Sequence, residues 1–263
     1  MQRRAWFEIH DSRWFPAYLR DLVTEALEAV WNTNHTYRPI AARLRHAVER
    51  SGSDSIVDLC SGGGGPWLGL YDDIAQGQPL AVRLTDLYPN ARLTAATRGN
   101  APGSITASPD PVDARCVPEN LRGFRTIFSS FHHFDPDAAR AMLADAFRRR
   151  EGIGVFEAAR RTPWTMLSVV GVALLSLRVA VTQRPVRASR LVFTFLLPVI
   201  PATLWIDGLF SCLRSYSLSD MRELAAGLTA PDYTWDLGEE HGGPVPIRYL
   251  IGTPARGARH ARL

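Results

Sequence analysis

The chain has no lysine at all. Its 263 residues carry thirty basic side chains, and every one is arginine. Codon usage in a GC-rich genome accounts for that, and the arginines are scattered, so neither a basic stripe nor a nucleic-acid partner is expected. Cysteine is scarce as well. Cys60, Cys116 and Cys212 are far apart and odd in number, which excludes a disulfide framework and matches no metal-ligand spacing. No metal is therefore expected. The first fifteen residues, MQRRAWFEIHDSRWF, lack the apolar stretch of a signal peptide, so a reduced, cytoplasmic setting follows, at most peripheral to the inner face of the membrane. No internal repeat is present. What remains is ordinary for a globular protein: 46% hydrophobic, 21% charged and a net charge of +4.

Apolar residues recur at helical spacing through residues 14–50, with Pro16 suited to a helix start. The texture then becomes a rhythm of short apolar strands and helices. IVDL (56–59), VRLTDL (82–87), FRTIFSSF (124–131) and GIGVFEA (152–158) read as strands, and a further short strand is expected within 99–115. Helices are expected from Pro66 and over 135–150, the latter capped by Asp135. After residue 162 two apolar runs interrupt the rhythm, at 165–181 and 191–206, joined by TQRPVRASR. A capped helix at 217–228 and two strands, YTWDLG and PIRYLIGTP, close the pattern. The fold class is thus α/β: a Rossmann-like, mostly parallel sheet with a terminal antiparallel strand pair, helices on both faces and a hydrophobic helical insert. The expected organisation is an N-terminal helical cover over 1–55, a cofactor-binding core over 56–161, the insert or lid over 162–213, a completing helix and strand pair over 214–254, and a basic tail over 255–263.

The segment IVDLCSGGGGPW raises the functional question, because four glycines follow a buried strand. In an open parallel sheet ligands bind beyond the carboxyl ends of the strands, and bare backbone lets them approach. The dinucleotide fingerprint fails in both registers: Gly62 and Gly64 are followed by Trp67, and Gly62 and Gly65 are preceded by Cys60. Asp58-Leu-Cys-Ser-Gly-Gly-Gly instead resembles the first motif of class I S-adenosylmethionine-dependent methyltransferases, with Cys60 in place of the first glycine and Ser61, Gly62 and Gly64 following. TDLYPN places Asp86 where that family holds the ribose hydroxyls and Leu87 where an apolar residue packs on adenine. PVDAR offers Asp113 and Ala114 near the adenine, and FHHF (131–134) matches the end of the family's fourth strand.

The resemblance implies S-adenosyl-L-methionine as cofactor and in-line methyl transfer as reaction. It implies His132 or His133 as a base for a protonated acceptor and Glu157, at the tip of the next strand, as a group that touches the acceptor or orients a histidine. His10, Asp11, Trp14 and Tyr37 are candidates to cover the cofactor, with core packing the expected fate of Trp14. Arg160 and Arg161 read as plain solvent-facing residues. Each run of the insert is shorter than the ~20 apolar residues of a membrane span. The insert is expected to line an apolar or lipid acceptor site, to rest on membrane with Arg184, Arg187 and Arg190 meeting anionic headgroups, or to join copies into an oligomer. The alternatives to a methyltransferase are a nucleotide-binding oxidoreductase on a similar sheet and a non-catalytic, membrane-associated cofactor-binding protein.

Overall fold

The structure, a computed structural model, describes residues 8–10, 12, 14–98 and 104–255. Asp11 and nearly all of the basic tail, 256–263, lie outside the described residues. Seven strands form one sheet in the order β3-β2-β1-β4-β5-β7-β6. The strands are β1 (Ser55–Leu59), β2 (Ala81–Thr85), β3 (Ile105–Ala107), β4 (Phe124–Phe128), β5 (Ile153–Glu157), β6 (Tyr233–Glu240) and β7 (Ile247–Pro254). The first five run parallel, and β7 pairs antiparallel with both β5 and β6. Helices α1 (Ala17–Thr33) and α2 (Ala41–Ser51) precede the sheet; α3 (Trp67–Ala75), α4 (Ala91–Thr97) and α5 (Pro136–Arg148) connect its parallel strands.

The near-continuous apolar character of the central strands has the expected cause. Successive side chains leave a strand on opposite faces, and here both faces are covered. Ile56, Phe124, Phe128 and Phe156 pack on one face with Trp67 and Leu44, while Val57, Leu59, Ile127 and Val155 pack on the other with Met142 and Met221. Local signals set the helix ends. Gly52 closes α2 at φ 64°, and the Asp135 carboxylate accepts the Ala138 N–H at 2.8 Å. The predicted continuous helicity of 14–50 is interrupted between α1 and α2 by a turn and a single 3₁₀ turn, Arg38–Ile40, where the Asn34-His35 pair and Pro39 break the pattern. The strand predicted over 82–87 stops at Thr85, and that over 124–131 stops at Phe128. Ser129, at φ 42°, turns the chain out of the sheet into the 3₁₀ turn Phe131–His133.

The insert is helical. Helix α6 (Pro163–Thr182) is unbroken, whereas the second run divides into α7 (Ala188–Leu191), a π turn over Val192–Leu196, and α8 (Val199–Arg214). Pro198 cannot continue the hydrogen-bond ladder, and the two halves meet at 66°. Helix α9 (Leu218–Ala225) follows, with Ser217 and Asp220 forming a capping box. A third core, made by Leu22, Val23 and Ala26 of α1 with Ile200 and Leu204 of α8, ties the insert to the N-terminal helix.

Arg160 and Arg161 are not plain solvent-facing residues. They are half-buried and paired with Glu239 at 3.1 Å and Asp220 at 2.9 Å, because β6 and the start of α9 lie beside them. Trp14, by contrast, is 73% exposed rather than packed in the core. At the amino end of β4 the guanidinium of Arg125 is almost fully buried between Asp145 and Glu151, at 2.8 and 2.7 Å. Removing one partner of a buried ion pair leaves the rest uncompensated. Arg125→Leu is expected to lower stability by about 3–5 kcal/mol, read by chemical denaturation.

Candidate functional site

The site begins at the carboxyl ends of β1 and β2. Asp58 is the fourth residue of β1, and its carboxylate is buried beneath the turn that follows. The hydroxyl of Ser61 donates to Oδ2 and that of Thr126, on β4, to Oδ1, both at 2.6 Å. Thr85, ending β2, donates its hydroxyl to the Asp58 carbonyl at 2.8 Å and its N–H to Ser61 Oγ at 3.1 Å. Three strand ends and the glycine turn thus share one network. Burial pushes the Asp58 carboxyl up to about 7 against these hydrogen bonds.

Cys60, which stands where the resembled motif has a glycine, adopts φ 59°, the left-handed conformation in which glycine is least strained. Gly62, at φ 53°, donates its N–H to Asp86 Oδ2 at 2.8 Å, and Tyr88 N–H donates to Oδ1 at 2.8 Å. Asp86 lies one residue beyond β2 and faces the glycine loop. Leu87 beside it is 45% exposed. Asp113 points to its own neighbour, bonded to the Arg115 guanidinium at 2.7 Å, and Ala114 is buried in the core. The loop that carries them adjoins Asp86, whose carbonyl accepts the Val112 N–H at 2.8 Å.

The N-terminal helix covers the loop. A Cβ on Gly63 would stand 3.0 Å from Glu28 Oε2 and 3.1 Å from the backbone of Glu25, and one on Gly64 would stand 3.1 Å from Glu28 Oε1. Asn32 donates to the Gly65 carbonyl at 3.2 Å and accepts from the Gly69 N–H at 2.9 Å. The glycines thus let α1 lie directly on the turn. Glu25 is paired with Arg92 at 3.2 Å and Arg187 at 2.6 Å. Glu28 has no ion-pair partner among the described residues, and burial beside Glu25 pushes its carboxyl up to about 8. The cleft between Ser61, Gly62, Asp86, Asn90, Leu93 and Ser108 is closed down to about 10 Å³, room for a single water. A wider groove of about 320 Å³ lies elsewhere, between α2 and β6, where Arg43 already pairs with Asp236 and Glu240.

A second constellation forms at the ends of β4 and β5. Glu157, the last residue of β5, accepts the Phe131 N–H at 2.8 Å and holds His132 Nδ1 at 2.6 Å. His132 and Glu157 are fully buried, and His133 retains 20% exposure. The expectation of a histidine near neutrality fails for His132. Burial disfavours its charge, but the Glu157 and Glu8 carboxylates outweigh that and raise it to about 10. The sequence pattern missed two members. Glu8 reaches both histidines from the N-terminal segment, and Asp207 of α8 binds His10 Nδ1 at 2.7 Å. The isolated charge of Asp207 in an apolar run was the available signal. Tyr37, another expected cover residue, is buried and bonded to Ser129.

Fold and site together define a Rossmann-like α/β protein whose candidate ligand groups gather at the carboxyl ends of its parallel strands. No protein-family model matches the chain, and no curated protein matches its sequence. Solved structures do resemble it. Human N-acetylserotonin methyltransferase in complex with SAM overlaps at a TM-score of 0.51 and 13% identity, over 90% of this chain and 56% of that one. The plantazolicin methyltransferase BpumL in complex with SAH overlaps at 0.49 and 14%, over 89% and 96%. A chain named as a zinc-dependent alcohol dehydrogenase from Rhodobacter sphaeroides overlaps at 0.47 and 13%, over 87% and 98%. The chain has the class I methyltransferase fold, and at this identity the likeness is one of fold.

The buried Glu28 gives a pH signature. Its carboxyl binds a proton more tightly folded than unfolded, with a folded value near 8 against 4.5. Glu28's contribution to stability therefore falls as pH rises through that window, by at most about 1.4 kcal/mol per pH unit. In Glu28→Gln the midpoint of thermal unfolding is expected to decline less between pH 5 and 8, roughly that window.

Proposed function

We propose that the chain is an S-adenosylmethionine-dependent methyltransferase acting on a hydrophobic or lipid-like acceptor, working in the cytoplasm at the membrane surface. The observation that carries the cofactor reading is the set of carboxylates around the glycine loop: Asp58 beneath it, Asp86 beside it and Glu28 above it. A dinucleotide pyrophosphate would meet the Asp86 carboxylate there, beside two buried acids whose proton affinity is raised. A sulfonium with an amino group is complementary. Arg92 and Arg187, the nearby cations, are engaged by Glu25. The human enzyme of the same fold was solved with that cofactor, which supports the choice.

Asp86 would accept the ribose hydroxyls, since a carboxylate has capacity beyond the two N–H groups it now holds. Gly62 and Gly64 would bring the backbone close, Cys60 and Ser61 would shape the turn, and Leu87 would turn from solvent onto the base. In this reading Asp113 and Ala114 would flank the adenine from the loop that Val112 ties to the Asp86 carbonyl. When bound, the cofactor supplies an activated methyl group. The chain's share is then alignment and exclusion of water. Entry requires α1 and α4 to draw back from the loop. His132, His133 and Glu157 would form the acceptor side, with Glu157 fixing the orientation of His132.

The lipophilic acceptor rests on the insert. Trp164, Leu167, Leu174 and Val181 form an exposed stripe along α6, at spacings of three, seven and seven residues. Phe195, Leu196 and Leu197 at the bend and Trp205 on α8 extend it. Helix α6 is long and apolar enough to cross a membrane, but its other face packs on α8 and α1. An interfacial position with the stripe in the acyl boundary suits both facts. The expected arginine contacts are narrower than the sequence implied. Arg190 is buried, donating to the Ala180, Gln183 and Pro185 carbonyls, and Arg187 is held by Glu25, so Arg184 and Arg178 are the exposed cations of the insert.

Two measurements test this reading. Calorimetry should detect binding of S-adenosylhomocysteine and none of NAD, and Asp86→Ala should weaken the former by about 1.5–3 kcal/mol, the value of charge-assisted hydrogen bonds. Binding of NAD alone would favour the oxidoreductase. Leu174→Asp and Phe195→Asp should reduce sedimentation with anionic vesicles and turnover of lipid acceptors, while cofactor affinity stays unchanged. If both variants fold and neither property moves, an oligomer interface is the better account of the insert.

A further inference from the structure

Glu8, His132 and His133 were not connected by any sequence spacing, and the fold brings them together. Glu8 Oε1 is 3.3 Å from His132 Nε2, and Glu8 Oε2 is 3.4 Å from His133 Nε2. One ligand atom from each of the three lies within 4.8 Å of the others. A tetrahedral ion with bonds of ~2.0–2.1 Å holds its ligand atoms about 3.3–3.4 Å apart; the two contacts fall at that separation but are made by different Glu8 oxygens, so the carboxylate would grip the ion through both or turn to offer one. We infer that Glu8, His132 and His133 form a binding site for one divalent transition cation of the zinc or ferrous class. Two imidazoles and a carboxylate are the donor set of such ions. Magnesium and calcium take oxygen.

The surroundings fit that assignment independently of the three ligands. An imidazole bound to metal through Nε2 has its Nδ1–H held by a carboxylate. Glu157 does this for His132 at 2.6 Å and is itself fixed by the amide N–H groups of Phe131 and His132 at 2.8 and 3.2 Å. Glu8 is fixed by the Ser211 hydroxyl, which donates to Oε1 at 3.0 Å. His10, bound to Asp207, stands against His133 with ring centroids 6.0 Å apart. Arg214 is a competing cation, with Nη1 3.8 Å from Glu8 Oε1. The Glu157 and Asp207 carboxylates offset it. His133 keeps partial exposure, so the site is open to solvent on one side.

Such an ion would join the N-terminal segment to the end of β4. Its binding is then also a stabilisation of the folded chain, since the ligands meet only when it is folded. The inference stands on these residues alone and does not depend on methyl transfer.

The test uses the untagged full chain stripped with chelator. Zn²⁺ and, separately, Co²⁺ are titrated and followed by calorimetry, thermal unfolding and the visible absorption of cobalt. The wild type should bind one ion per chain, unfold at higher temperature and give the spectrum of a nitrogen–oxygen site, with no response to Mg²⁺. Glu157→Gln should weaken binding by about 10–100-fold. His133→Ala, at a partly exposed position that leaves the core intact, should weaken it at least as much, and Glu8→Gln with His133→Ala should abolish it. Folded wild type that binds neither ion overturns the inference and leaves a proton-held ion-pair network. Undiminished binding of one equivalent in the double variant overturns it too, by placing the ion elsewhere.

Discussion

The buried carboxylate of Asp58 is the constraint on which the ligand end of the sheet depends. It sits inside a low-dielectric layer, where an unpaired charge is costly. The chain meets that cost locally. Ser61 reaches back from the turn, Thr126 reaches across from β4, and Thr85 closes the network from β2. Three neighbouring strands therefore end in fixed register around one side chain. The turn after β1 has no freedom to lie elsewhere, and Cys60 is held in a left-handed conformation that a free chain would avoid.

From that anchored turn the rest of the site follows by packing. Gly62, Gly63 and Gly64 are bare on the side where α1 crosses, so the helix descends until Glu25 and Glu28 touch the loop. A helix carrying two acids is thereby buried against a loop already flanked by Asp58 and Asp86. The raised proton affinity of Asp58 and Glu28 is a property of assembly, because it comes from burial with little room for water. The same holds at β4 and β5. There Glu157 is satisfied by two backbone amides and a histidine, and Glu8 closes the group from the other side.

The insert solves a different problem. Its third core, shared between α1 and α8, fastens it to the cover over the glycine loop. Arg187 reinforces the link through Glu25.

The sequence by itself determined the alternation of strands and helices, because a strand buried on both faces must be almost wholly apolar, as IVDL and GIGVFE are, and because caps such as Asp135 and Ser217 act within a few residues. It also located the glycine turn with Asp58 and Asp86, since residues at strand ends are placed by strand order alone. It misjudged what depends on partners distant in sequence. Trp14 is exposed, Arg160 and Arg161 are paired, and Arg190 is buried by three carbonyls. Above all, periodicity cannot connect Glu8 or His10 with His132, His133 and Asp207. Only the tertiary structure decided that meeting, because these groups lie on three separate segments whose mutual position is set by the packing of α1, α8 and the sheet.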